Sequence, residues 1–213
     1  MSLLLQESPI LGGIVIASVA LSIYHKKSNL IIGICILALL FLLYFYRYFP
    51  TDIQDIPDNV ILSPCEGKII NITDRYGYYY IAIFMSPFNV HYQIYPVNGK
   101  VIKREYDRTG QFNVVMNLGK SRNNEKKRHY IRMKNNNTLL LTQIAGFLPR
   151  VITSSDQENL NVKAGDYLGM IKFGSRIDMI IPKKAEDGSI LKLNVNVSDN
   201  IKVSDYLGEY VIE

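Results

Sequence analysis

Residues 168–182 read "LGMIKFGSRIDMIIP". Apolar and polar residues alternate along the stretch, the period of two expected of a strand with distinct faces. Yet Gly174 and Ser175 stand where the run should be strongest. A flexible residue beside a hydroxyl at the centre of a strand has two readings. One is a turn; the other is a peptide bond placed to be broken. The rest of the chain has to decide between them.

Working outward, everything from residue 50 shares the texture of that stretch. Short runs such as "GYYYIAIFM", "HYQIYPV", "FNVVMNL", "TLLLTQIAG" and "YLGMIKF" are separated by Gly, Asn and Pro every eight to twelve residues. This cadence predicts a mainly β domain over 50–213, built of antiparallel sheets in a barrel-sandwich-like arrangement. No ten-residue stretch beyond 50 carries helical periodicity. Absence of Trp beside 15 Tyr suits strands better than a helical bundle. An internal echo links "SPCEGKII" (63–70) and "YPVNGKVI" (95–102), which share Pro-x-x-Gly-Lys before two apolar residues. Each Gly is expected to permit a tight turn into a strand, and Asn98 in the second copy favours that turn. The repeated hairpins are similar to those of biotinyl- and lipoyl-carrier sandwiches. No lysine, however, stands at a hairpin tip between two hydrophobic neighbours, as a carrier requires.

The first fifty residues differ. Runs 9–24 and 30–46 are apolar and uncharged, with "HKKSN" between them. As helices they would extend about 24–26 Å, slightly short of a ~30 Å hydrocarbon core. Each is expected either to span a thinned bilayer or to dip, as a hairpin, into one leaflet. Two runs with no basic stretch before the first suit a cleaved signal peptide poorly. Residues 1–49 therefore read as a membrane-anchoring helical hairpin, and the protein as membrane-associated.

Charge adds little. The net +5 is local: residues 120–134, "KSRNNEKKRHYIRMK", hold seven Lys/Arg against one Glu, while the β-rich remainder is slightly acidic. A nucleic-acid surface would need basic residues interleaved with stacking aromatics over a wider face, so no nucleic-acid partner is expected. The cluster reads as a solvated loop between strands in preference to a patch for anionic lipid head groups. Cys35 and Cys65 offer neither a disulfide framework nor zinc spacing, and no metal site is expected.

Five stretches in order resemble the phosphatidylserine decarboxylase family in its short form. They are "FYRYFPTDIQDIP" (45–57), "SPCEGKI" (63–69), "FMSPFNVHYQIYPVNGKV" (84–101), "QIAGFLPRVI" (143–152) and "KAGDYLGMIKFGSRIDMIIP" (163–182). Order and spacing carry the resemblance; Gly-Ser alone would carry none. The resemblance implies a proenzyme that cuts itself between Gly174 and Ser175, leaving a β chain of 174 residues and an α chain of 39. The Ser175 hydroxyl would attack the Gly174 carbonyl, and elimination and loss of ammonia would turn Ser175 into a pyruvoyl group, the only cofactor implied. That group would form a Schiff base with the serine amine of a membrane phospholipid and act as an electron sink while CO2 leaves, giving phosphatidylethanolamine. The two chains would stay associated, and a homo-oligomer is compatible with the sequence.

By the same resemblance His91 moves the proton, its ordinary pKa of ~6.5 suiting both directions. Glu66 stands where the family carries Asp, the base that prepares the serine. It keeps the carboxylate but adds a methylene, a departure that gives weight to a non-catalytic lipid-binding or scaffold homologue as the alternative. A decarboxylase of an archaeal-type serine phospholipid would share the head-group chemistry. Gly146 reads either as a close backbone approach to the site or as a plain turn. Lys172 and Arg176 are weaker candidates for the head-group phosphate, ranked below a surface salt bridge. His129, in the basic segment, and His25, in the hairpin, read as bystanders.

Overall fold

The computed structural model describes residues 7, 9–25, 29–49, 55–108, 113–146, 151–172 and 174–212. Two compact units emerge, Met1–Pro50 and Thr51–Glu213. The first contains helices α1 (Pro9–Tyr24) and α2 (Asn29–Phe45), which pack on each other. Ser22 Oγ and Cys35 Sγ lie 3.9 Å apart between them. Their outward faces are apolar: Ile14, Leu21, Leu30, Ile34 and Leu37 are all more than half exposed. At 16 and 17 residues, neither helix reaches across a hydrocarbon core. No described helix is long and apolar enough to cross a membrane, so the expectation of a spanning helix is corrected. Lys26 and Lys27, between the apolar runs, lie outside the described residues.

Among its described residues the second unit is built of strands, with one 3-10 turn, Lys120–Asn123. Its strands, in order, are β1 (Val60–Leu62), β2 (Gly67–Arg75), β3 (Tyr78–Met85), β4 (Tyr92–Ile94), β5 (Gly99–Asp107), β6 (Lys126–Met133) and β7 (Thr138–Ala145). Then come β8 (Ile152–Ser154), β9 (Leu160–Val162), β10 (Tyr167–Ile171), β11 (Ser175–Pro182), β12 (Ile190–Leu193), β13 (Asn200–Ile201) and β14 (Tyr206–Val211). Eight of them form one sheet in the order β13-β2-β3-β11-β7-β6-β5-β9, and two smaller sheets run β1-β14-β12 and β4-β10-β8. Every pairing is antiparallel.

The stretch 168–182 is therefore not one strand. Its first part is β10, in the middle of a small sheet, and its second part is β11, in the middle of the large one. The first of these strands ends at Ile171 and the second begins at Ser175, and Gly174 takes φ +62°, a left-handed conformation that glycine adopts without a Cβ penalty. From Ser175 onward the alternation holds: Ile177, Met179 and Ile181 join the common core, while Arg176, Asp178 and Ile180 occupy the other face.

Two further expectations change. Residues 120–134 are not a loop: they make the 3-10 turn and then β6, whose period of two turns Lys127 and His129 inward. The echoed glycines, Gly67 and Gly99, open β2 and β5 without a left-handed φ. They are glycine because of close approach: a Cβ would fall 2.3 Å from the Phe84 carbonyl oxygen in one case and 2.3 Å from that of Arg132 in the other.

Candidate active site

Ser175 opens β11 and is fully buried on the core face. It pairs with Met85 at the end of β3 and with Ala145 at the end of β7. Its hydroxyl donates to the Met85 thioether at 3.4 Å. Gly146 follows β7 directly, and a Cβ there would lie 1.9 Å from the Gly174 carbonyl oxygen and 2.8 Å from the carbonyl carbon. The carbonyl of the Gly174–Ser175 peptide thus rests against Gly146, a contact that only a residue without a side chain permits. Beside Gly174 itself the space is open: apart from its chain neighbours, no described residue has an atom within 4 Å of where a Cβ would stand. Phe173 lies outside the described residues.

His91 reaches the same neighbourhood through the turn Ser86–Val90, which leaves the end of β3 and leads into β4. Several contacts fasten that turn. Asn89 accepts at its side-chain oxygen from the Ser86 backbone N–H at 2.8 Å. Glu66, just before β2, accepts from the Asn89 side-chain amide at 2.8 Å and from the Val90 backbone N–H at 3.2 Å. The buried His91 ring holds its Nδ1 2.8 Å from the Asn89 carbonyl. A carbonyl only accepts, so Nδ1 carries the hydrogen and Nε2 is the basic nitrogen of the neutral ring. The two oxygens of Glu66 are thus directed at the turn that bears His91.

Lys172 and Arg176 are not companions on one strand. Lys172 follows β10 and donates its backbone N–H to the Val151 carbonyl at 3.1 Å. Arg176 is buried in β11 and grips Asp178 with two bonds, Nε to Oδ1 at 2.7 Å and the second terminal nitrogen to Oδ2 at 2.9 Å. Its remaining nitrogen donates to the Val115 carbonyl and the Ser121 hydroxyl, both at 2.6 Å. With all three nitrogens engaged inside the domain, Arg176 is neither a surface salt bridge nor open to a phosphate. Burial pushes the Asp178 carboxyl above its ordinary range, and facing Arg176 works in the opposite direction.

Three functional candidates escape a reading of the sequence: Gln93, Gln143 and His129, all fully buried. A signal for Gln143 exists, since it falls in phase with the buried Leu139 and Leu141 along β7. Burial pushes the His129 imidazole down to about 4, so the ring is neutral at pH 7.

The site thus combines a buried serine, a left-handed glycine whose carbonyl rests against Gly146, and a buried histidine carried by a turn that a carboxylate fastens. The phosphatidylserine decarboxylase family model matches residues 40–209. A phosphatidylserine decarboxylase proenzyme of Pelodictyon phaeoclathratiforme is 40% identical over 157 residues, covering 70% of this chain and 72% of its own. That of Cytophaga hutchinsonii is 38% identical, covering 76% and 74%, and that of Chlorobium chlorochromatii is 32% identical, covering 90% of each. No solved structure matches. The chain belongs to the phosphatidylserine decarboxylase family, a family of carboxy-lyases.

Proposed function

We propose that this chain is a proenzyme that cuts itself between Gly174 and Ser175 and then decarboxylates phosphatidylserine to phosphatidylethanolamine. The observation that carries the reading is the junction itself. A left-handed glycine presents its carbonyl against Gly146, and the next residue is a buried serine at the head of a central strand. Ser175 Oγ attacks the Gly174 carbonyl carbon, the C–N bond breaks, and the residue 175 nitrogen becomes an amine on an ester. Removal of the Cα proton of residue 175 expels Gly174 as a carboxylate and leaves dehydroalanine. One water enters, one ammonia leaves, and residue 175 ends as a ketone.

The residues present suit a group made from Ser175 in place. Residues 175–182 are paired along both edges, to β3 and to β7, so a new chain start at 175 remains held by two ladders. The α chain also supplies β13 to β2 and β14 to β1, which keeps the two products associated after cleavage. The ketone supplies the electron sink for the pair left behind when CO2 departs. His91, its Nδ1 committed to Asn89, handles protons at Nε2. Glu66 acts on the reaction by holding the Asn89–Val90 turn that bears this histidine. The exposed apolar faces of α1 and α2 enter the near leaflet without crossing it, which brings the domain to its lipid.

The test is a denaturing gel and intact-mass analysis of freshly made protein. The 24.3 kDa chain should give fragments of 174 and 39 residues, the smaller with a blocked, keto-bearing start. Ser175→Ala should stay whole and inactive. A wild-type chain that stays whole and yet decarboxylates would refute the proposal.

A further inference from the structure

Beneath Ser175 a chain of polar side chains crosses the core. His129 Nε2 lies 2.8 Å from Gln143 Oε1, and Gln143 Nε2 donates to Gln93 Oε1 at 2.9 Å. Gln93 Nε2 donates to the His91 backbone carbonyl at 2.5 Å and points at the Met85 thioether at 3.8 Å. That thioether is the acceptor for the Ser175 hydroxyl. Three strands of two different sheets contribute: β6, β7 and β4.

The polarity of the chain is dictated by its far end. A backbone carbonyl and a thioether only accept, so the Gln93 amide must turn both N–H bonds toward them and its oxygen toward Gln143. Gln143 then has only its oxygen left for His129, and His129 must carry its hydrogen on Nε2. A neutral ring meets that requirement, and burial keeps it neutral. Any reversal would set donor against donor or acceptor against acceptor among buried side chains, at the cost of a buried unsatisfied group. Leucines would fill the same volume without this demand, as Leu139 and Leu141 do at the preceding inward positions of β7.

We propose that Gln93 is a positioning residue for the reaction, braced by Gln143 and His129, that sets the His91 backbone and the Ser175 hydroxyl relative to each other. One amide touches both the carbonyl of the histidine and the sulfur that holds the serine. The thioether is a weak acceptor and takes Ser175 by its hydrogen. The lone pairs of the oxygen stay available for the Gly174 carbonyl. The inference rests on the reading of Ser175 as the self-cleaving residue.

It is tested on full-length precursor made by cell-free translation and followed on a denaturing gel. Gln93→Leu should slow cleavage on the order of 100-fold, the scale of an ångström misplacement. Gln93→Leu/Gln143→Leu should be no slower than Gln93→Leu alone, because the two act as one unit. Effects that multiply, or wild-type cleavage in folded Gln93→Leu, would overturn the inference while leaving the self-cleavage reading intact. Failure of wild-type precursor to cut sinks the self-cleavage reading instead. Should Gln93→Leu not fold, the far end of the chain decides. His129→Gln, which restores an N–H toward Gln143, must cut faster than His129→Leu, and equal rates would overturn the role.

Discussion

Gly146→Ala adds a single methyl group at the place where the chemistry is proposed to occur. Its Cβ would stand 1.9 Å from the Gly174 carbonyl oxygen, against an ordinary C···O contact of about 3.3 Å. Something must therefore move by about 1.4 Å, and the atoms concerned are backbone. The neighbouring chain is tied down. Ala145 donates its N–H to the Glu125 carbonyl at 2.9 Å and pairs with Ser175 across the ladder. Most of the displacement therefore falls on the Gly174 carbonyl. A shift of about 1 Å at a reacting centre costs ~100-fold in rate, and overpacking costs about 1–3 kcal/mol in stability. Cleavage of cell-free precursor should accordingly slow about 100-fold or more. The stability loss should be read separately, by thermal melting of Gly146→Ala in a Ser175→Ala background, where neither protein can cut. A folded Gly146→Ala protein maturing at the wild-type rate would show that the carbonyl is not held against Gly146 in the reacting state.

Gly174→Ala should behave differently: the space is open but φ is +62°, so the expected loss is about 1–2 kcal/mol of backbone strain, seen as a lowered melting temperature with slowed but detectable cutting. Glu66→Gln offers one acceptor where Asn89 and Val90 supply two donors, and should slow cleavage about tenfold, or ~1.4 kcal/mol, in the same time course. The pH dependence has a definite sign. His129 is held at about 4 in the fold and near ~6.5 when unfolded, so the unfolded chain binds more protons between these values. Its contribution, about 3 kcal/mol, is complete above ~6.5 and is lost as pH falls toward 4. In the Ser175→Ala background, His129→Gln should flatten the fall in melting temperature between pH 7 and 4.5, and parallel curves would contradict this. Arg176→Met should cost about 2–4 kcal/mol by stranding Asp178, visible in melting, while KM for lipid stays unchanged.

Much of the architecture could be read along the chain. The run 9–24 coincides with α1, and 30–46 with α2 to within a residue at each end. The alternation in "SRIDMIIP" is the alternation of β11, because the faces of a strand follow from its pleat whatever its partners are. Gly174 and Ser175 could be singled out from their order and surroundings. What could not be read is that they sit where the chain leaves one sheet for another. The alternation of β10 runs into that of β11 with no mark in composition.

Partners remote in sequence decided the rest. Arg176 is buried because Val115 and Ser121, 61 and 55 residues away, accept its third nitrogen, and nothing near it forecasts that cover. His129 became a core residue because β6 is flanked by β5 and β7 and not left as a loop. The amino-acid order alone determined which residues alternate, where the apolar helices lie and which bond joins a glycine to a serine. Each depends on local backbone geometry and the period of the apolar pattern. Tertiary structure alone decided which carbonyl meets Gly146 and which amide reaches His91, since antiparallel pairing brings together groups that the chain keeps far apart.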